Sequence, residues 1–129
     1  MSAPSSPQAP RPAVLLVDDE PSLLEALRLG LMKEFDVELA NNAEEAELML
    51  AARAFDVVVS DHLMPGEEGL HFLVGVSERH PRTHRILLTG YMNPELISRS
   101  VTVAKLAACL VKPVKAEQLA KVMRAALAG

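Results

Sequence analysis

Five side chains have types and placements that could do chemistry together: Asp18, Asp19, Asp61, Thr89 and Lys112. Asp18 and Asp19 are adjacent after one apolar run. Asp61, Thr89 and Lys112 each close another. Carboxylates brought close repel one another unless a cation lies among them. Oxygen-only donors suit a hard ion, and Mg²⁺ keeps waters and phosphate oxygens in its shell beside a few carboxylates. A lysine adds a compact positive charge for an anionic group. A threonine hydroxyl and the backbone amides beside it add donors. Such a set suits phosphoryl transfer, in which the protein mainly positions groups and stabilises charge. A carboxylate can itself be the nucleophile and form an acyl phosphate. Singly, each residue has a plainer role: the Asp pair as a polar helix start, Asp61 as a turn residue, Lys112 as a surface charge. The chemistry exists only if the fold gathers them.

The apolar pattern says how it could. Ala13 to Val17 is a continuous apolar run, which reads as a strand buried on both faces. Pro21 suits a first helical turn, and Leu24, Leu27 and Leu31 recur at helical spacing toward an end near Glu34. Val37 to Ala40 reads as a second strand. Asn42 reads as the cap of a helix through Ala52, with Ala46, Met49 and Leu50 inward. Phe55 to Val59, rich in β-branched residues, reads as a strand leading to Ser60 and Asp61. A helix is expected over Leu70 to Glu78, stopped before Pro81. Arg85 to Thr89 is the fourth strand, and Asn93-Pro94 opens a helix. Leu106 to Val111 is the fifth strand, and Ala116 to Leu127 the last helix, with Leu119, Val122, Met123 and Ala126 on one face.

This alternation predicts an α/β fold, a (βα)5 doubly wound five-stranded parallel sheet between two layers of helices. In such open sheets, sites form at the carboxyl ends of the strands. All five chemical residues then fall on one edge.

The bulk numbers narrow the function classes. A length of 129 residues suits one domain. The net charge of −4 argues against nucleic-acid binding. The single cysteine, Cys109, excludes an internal disulfide. No stretch is long and apolar enough to span a bilayer, and the N-terminus lacks the apolar segment of a signal peptide. A cytoplasmic location is therefore expected. Residues 1–12, rich in Pro, Ser and Ala, are expected to form a flexible tail before a domain over 13–128.

At these motifs the chain resembles the receiver domains of two-component response regulators, with a CheY-like fold. The carriers of the resemblance are Val17-Asp18-Asp19-Glu20, Asp61-His62-Leu63-Met64-Pro65 with Gly69, Leu88-Thr89-Gly90, and Lys112-Pro113, in that order. The resemblance implies a signalling domain that catalyses only its own phosphorylation and dephosphorylation. Asp61 would be the phosphoacceptor, served by a sensor histidine kinase or phosphotransfer protein. Asp19 and Asp61 would hold Mg²⁺ directly, Asp18 through water, and Leu63 through its backbone carbonyl. Lys112 would pair with the phosphoryl group, Thr89 would turn toward it, and Gly90 and Tyr91 would lie near it. The Lys112–Pro113 bond would be cis. Partner or output domain would lie elsewhere, and the helix 4 and helix 5 surfaces would be the places for a homodimer.

The sequence departs from that family at Cys109, where an aromatic residue usually stands. A small side chain cannot swing as an aromatic does, so a muted conformational change is expected. Cys109 itself reads as a small buried hydrophobe rather than a redox sensor. Bulky Leu63 and Tyr91 would obstruct an attacking water and slow the loss of phosphate. The histidines His62, His71, His80 and His84 show no metal-ligand spacing with the cysteine. His62 is expected to point outward. The basic stretch Arg79, His80, Arg82, His84, Arg85 is expected to be a solvated loop, and Met32, Met49 and Met123 to be core.

Two rival functions remain open at this point. A Mg²⁺-dependent phosphatase with an Asp nucleophile would need an Asp-x-Asp motif after the first strand, where this chain has Asp18-Asp19. A receiver-like adaptor without phosphorylation would not need the complete set of acids, Thr89 and Lys112.

Overall fold

The structure is a computed structural model that describes residues 10–62, 69–90 and 94–129. The apolar runs form strands and the periodic segments form helices, in strict alternation. They are β1 (Ala13–Val17), α1 (Pro21–Leu31), β2 (Asp36–Ala40), α2 (Ala43–Ala52) and β3 (Val57–Asp61), then α3 (Gly69–Arg79), β4 (His84–Thr89), α4 (Pro94–Ala104), β5 (Ala108–Val111) and α5 (Ala116–Ala128). All pairings are parallel, in the order β2-β1-β3-β4-β5.

The period of two along each strand divides the apolar residues between two cores. Leu15, Val17, Val58 and Leu87 face Leu50 of α2, Phe72 and Val76 of α3, and Ala104 of α4. Val14, Leu16, Val59, Ile86 and Leu88 face Leu24, Leu27 and Leu31 of α1 and Leu119 and Met123 of α5. Burial on both faces is why the strands are continuously apolar rather than alternating. The chain winds one way from β1 to β2 and the other way from β1 to β3. The carboxyl ends of β1 and β3 therefore open a crevice at the point of reversal.

Local signals place the helices. Pro21 starts α1. The Asn42 side chain accepts from the Glu45 amide at 2.8 Å, and the Glu45 carboxylate accepts from the Asn41 amide at 2.6 Å. The first bond satisfies an amide that the first turn of α2 leaves without a helical partner, and the second ties the residue before the cap onto that turn.

Several boundaries differ from the sequence reading. α1 stops at Leu31 rather than near Glu34, because Phe35 turns into the core and its amide bonds back to the Leu31 carbonyl. Met32 is consequently 41% exposed, not core. Its carbonyl accepts from the Arg11 guanidinium. β3 begins at Val57, two residues after buried Phe55. β5 begins at Ala108 rather than Leu106, because the chain leaves α4 through Lys105 at φ 52. The Leu106 amide then folds back on the Val101 carbonyl. The basic stretch is not uniformly solvated, since Arg85 is 8% exposed. His62 is also buried, contrary to the outward orientation expected of it. No described helix is long and apolar enough to cross a membrane.

Candidate functional site

The carboxyl edge of the sheet gathers the residues that the sequence singled out. Asp18 and Asp19 follow β1, Asp61 ends β3, Thr89 ends β4 and Lys112 follows β5. Oxygens of Asp18, Asp19 and Asp61 lie within 4.8 Å of one another. Asp18 and Asp61 are buried and Asp19 is exposed, so the cluster has one wet side. Lys112 Nζ lies 3.0 Å from Asp18 Oδ2 and 3.1 Å from Asp61 Oδ1. The Lys112 amide donates to the Thr89 carbonyl at 2.8 Å, which fixes the end of β5 against β4. The Lys112–Pro113 peptide is cis, as the resemblance implied.

Burial and charge oppose each other here. Burial pushes the Asp18 carboxyl above its ordinary pKa. Its bonds from Lys112 and the Glu20 amide pull it down, and the Asp61 charge raises it again. Burial alone would lower the Lys112 pKa, but its bonds to Asp18 and Asp61 outweigh this and hold it above the ordinary lysine value. Lys112 is thus a charged group shared between two buried carboxylates. Three carboxylates against one ammonium leave excess negative charge, and the donors are all oxygen. That donor set fits a hard divalent cation.

The remaining expected residues are less central or fall elsewhere. Thr89 is 1% exposed at the end of β4. Cys109 pairs in register with Leu87 and packs, half-buried, against the α2–α3 side of the sheet. Burial pushes its thiol pKa up, which disfavours the reactive thiolate. Gly90 is exposed, and among the described residues no atom lies within 4 Å of where a Cβ would be. Leu63 and Tyr91 lie outside the described residues.

Two groups quoted among the motifs were given no role of their own by the sequence reading. Glu20 brings a carboxylate oxygen to 3.7 Å from Lys112 Nζ. It lines a cleft of about 400 Å³ with Leu23, Leu88, Lys112, Pro113 and Val114. Gly69 packs directly behind the acidic centre: a Cβ there would lie 1.8 Å from the Asp61 carbonyl oxygen. The sequence placed Gly69 just before a helix expected from Leu70, and that position does not name the neighbour.

Comparison with known proteins agrees with this geometry. Residues 14–124 match the response regulator receiver domain family, and the chain belongs to that family. It is 37% identical to the hydrogenase transcriptional regulatory protein HoxA of Cupriavidus necator over 114 residues. That match covers 88% of this chain and 24% of the relative. It is 39% identical over 83 residues to the response regulator protein PilR of Pseudomonas aeruginosa, covering 63% of this chain and 18% of PilR. The chain thus spans a quarter or less of these regulators. Among solved structures, the signal receiver domain of an HD domain-containing protein from Pseudomonas fluorescens Pf-5 superposes with a TM-score of 0.84 at 32% identity. The match covers 92% of this chain and 95% of that one. The chemotaxis response regulator CheY4 of Vibrio cholerae gives a TM-score of 0.82 at 28% identity, covering 90% and 98%.

Proposed function

We propose that this chain is a phosphorylation-dependent switch that accepts a phosphoryl group on Asp61 from a sensor histidine kinase or phosphotransfer protein. The observation that carries the reading is the shared lysine: Lys112 Nζ lies within 3.1 Å of both Asp18 and Asp61, beside the exposed Asp19. An oxygen of Asp61 attacks phosphorus. The P–N bond of the donor phosphohistidine breaks, and the imidazole leaves with the electron pair and takes a proton from solvent. Lys112 holds the incoming phosphoryl oxygens, and the Thr89 hydroxyl turns toward them afterwards.

Asp19 and Asp61 are the residues to hold Mg²⁺ directly, with the Leu63 carbonyl. The two oxygens of Asp18 already accept from the Glu20 amide and Lys112, which supports a contact through water. When bound, the ion neutralises charge that builds on the transferring group. Gly90 and Tyr91, next along from Thr89, border the phosphoryl group, with Leu63 and Tyr91 slowing attack by water. Cys109 leaves no aromatic ring to follow Thr89 inward. The output is a partner or another part of a longer regulator, and the role belongs in the cytoplasm.

The test is direct. Acetyl phosphate with Mg²⁺ should add the mass of one phosphoryl group, and Asp61→Asn should abolish the gain. An equal gain in Asp61→Asn, or none in the unaltered chain, overturns the assignment.

A further inference from the structure

Arg85 is a charged residue that the site does not use, yet it is 8% exposed. It is the second residue of β4, and its side chain lies on the same sheet face as Thr89, roughly 13 Å away along the strand. Its guanidinium is spread over main-chain carbonyls at the far end of α4 and just before β4. Nε donates to Ala104 O at 3.0 Å, Nη2 to Lys105 O at 3.0 Å, and Nη1 to Thr83 O at 2.6 Å. Its own carbonyl accepts from the Ala107 amide at 2.8 Å. Both the backbone and the side chain of Arg85 therefore hold the turn that leaves α4.

That placement satisfies two needs at once. The last carbonyls of a helix lack helical donors and carry the negative end of its dipole. A planar guanidinium can serve several of them together, whereas an ammonium cannot match its fork. Among its described side chains, the rest of α4 is lightly seated. Ser100 and Ala104 are its described buried side chains, both small, while Val101 and Val103 are exposed. Among the described side chains the buried ones lie in the second half of α4, beside the charged fork, so the helix has a fixed end and a freer end. The fixed end is at Ala104. The freer end, Pro94, follows the loop that leaves Thr89 at the acidic edge.

We propose that Arg85 is the hinge pin of α4: a change at Thr89 moves the Pro94–Arg99 half of the helix, while Val101–Ala107 stays clamped to β4. The motion is a pivot about the Arg85 fork, not a shift of the whole helix. The proposal rests on Asp61 being the acceptor only for the trigger. The clamp itself belongs to the unmodified protein.

Amide hydrogen exchange with peptide resolution reads both halves of α4. The chain is compared with and without beryllofluoride and Mg²⁺, with adduct formation followed separately by ¹⁹F NMR. Adduct formation should change exchange in 94–99 and leave 101–107 within about twofold. Equal change in both halves, or none in either despite a formed adduct, overturns the hinge. In Arg85→Met without any adduct, 101–107 should exchange about tenfold faster or more, the loss expected from charge-assisted hydrogen bonds. Amides of α3 should not change, and Arg85→Lys should fall between. Unchanged protection of 101–107 in folded Arg85→Met also overturns it. Should Arg85→Met not fold, the comparison of the unaltered chain decides alone. Absence of an adduct counts against the acceptor reading, and the clamp is then judged on Arg85→Met.

Discussion

Replacing Gly69 by alanine tests whether α3 acts as a backstop for the acceptor. The new Cβ would lie 1.8 Å from the Asp61 carbonyl oxygen, 2.8 Å from its carbonyl carbon and 2.9 Å from Ser60 Oγ. A carbon–oxygen contact closes at about 3.3 Å, so β3 and the start of α3 must part by about 1.5 Å. Two of those three neighbours are backbone atoms of a central strand, which cannot swing aside. The Gly69 amide also donates to the His62 carbonyl at 2.8 Å, and that bond must stretch. Overpacking of this kind costs about 1–3 kcal/mol. A displacement near 1 Å at a reacting group costs about 100-fold in rate. Gly75→Ala, in the same helix, is the control. There the nearest atoms to a Cβ belong to the guanidinium of Arg79, 2.7 Å away at its nearest, on an exposed and flexible side chain that can move off. Helix propensity then favours alanine by about 1 kcal/mol. The assay is thermal unfolding together with the rate of Asp61 phosphorylation by acetyl phosphate, read by intact mass. Gly69→Ala should lose stability and react about 100-fold more slowly, while Gly75→Ala should gain stability and react normally. A Gly69→Ala protein with unaltered melting and a rate within about threefold of the parent would refute the backstop.

Three further outcomes follow from the same contacts. Asp18→Asn should stabilise the chain in EDTA, because it relieves a buried carboxylate that faces Asp61. It should also weaken the stabilisation that added Mg²⁺ gives, and thermal melts over a Mg²⁺ titration measure both. Cys109 should be alkylated by iodoacetamide more slowly than a free thiol, with the midpoint of its pH–rate profile moved upward, since burial disfavours the thiolate. Asn42→Ala should cost about 1 kcal/mol in urea unfolding by removing the cap on the Glu45 amide, with Asp61 phosphorylation unchanged.

Strand positions, layer order and the acidic edge were legible because their signals are local. Five apolar runs alternate with helical periodicity, and a parallel sheet sends every run's end to one side. Asp18, Asp61, Thr89 and Lys112 could be placed there without coordinates. Arg85 could not, because a strand residue in a basic stretch looks the same whether its guanidinium meets water or a helix end. His62 and Met32 were misread for a related reason: each sits at an element boundary, where burial depends on what crosses it.

The sequence by itself determined which residues meet at the carboxyl edge, through the periods of its apolar residues and the rule that parallel strands share a direction. Only the tertiary structure decided how they meet. Lys112 divides its charge between Asp18 and Asp61, Gly69 presses on the carbonyl behind the acceptor, and Arg85 grips the far end of α4. The first and last join residues far apart in the chain, and the Gly69 contact turns on the close approach of α3 to β3, so all three depend on ångström-scale packing that no local pattern encodes.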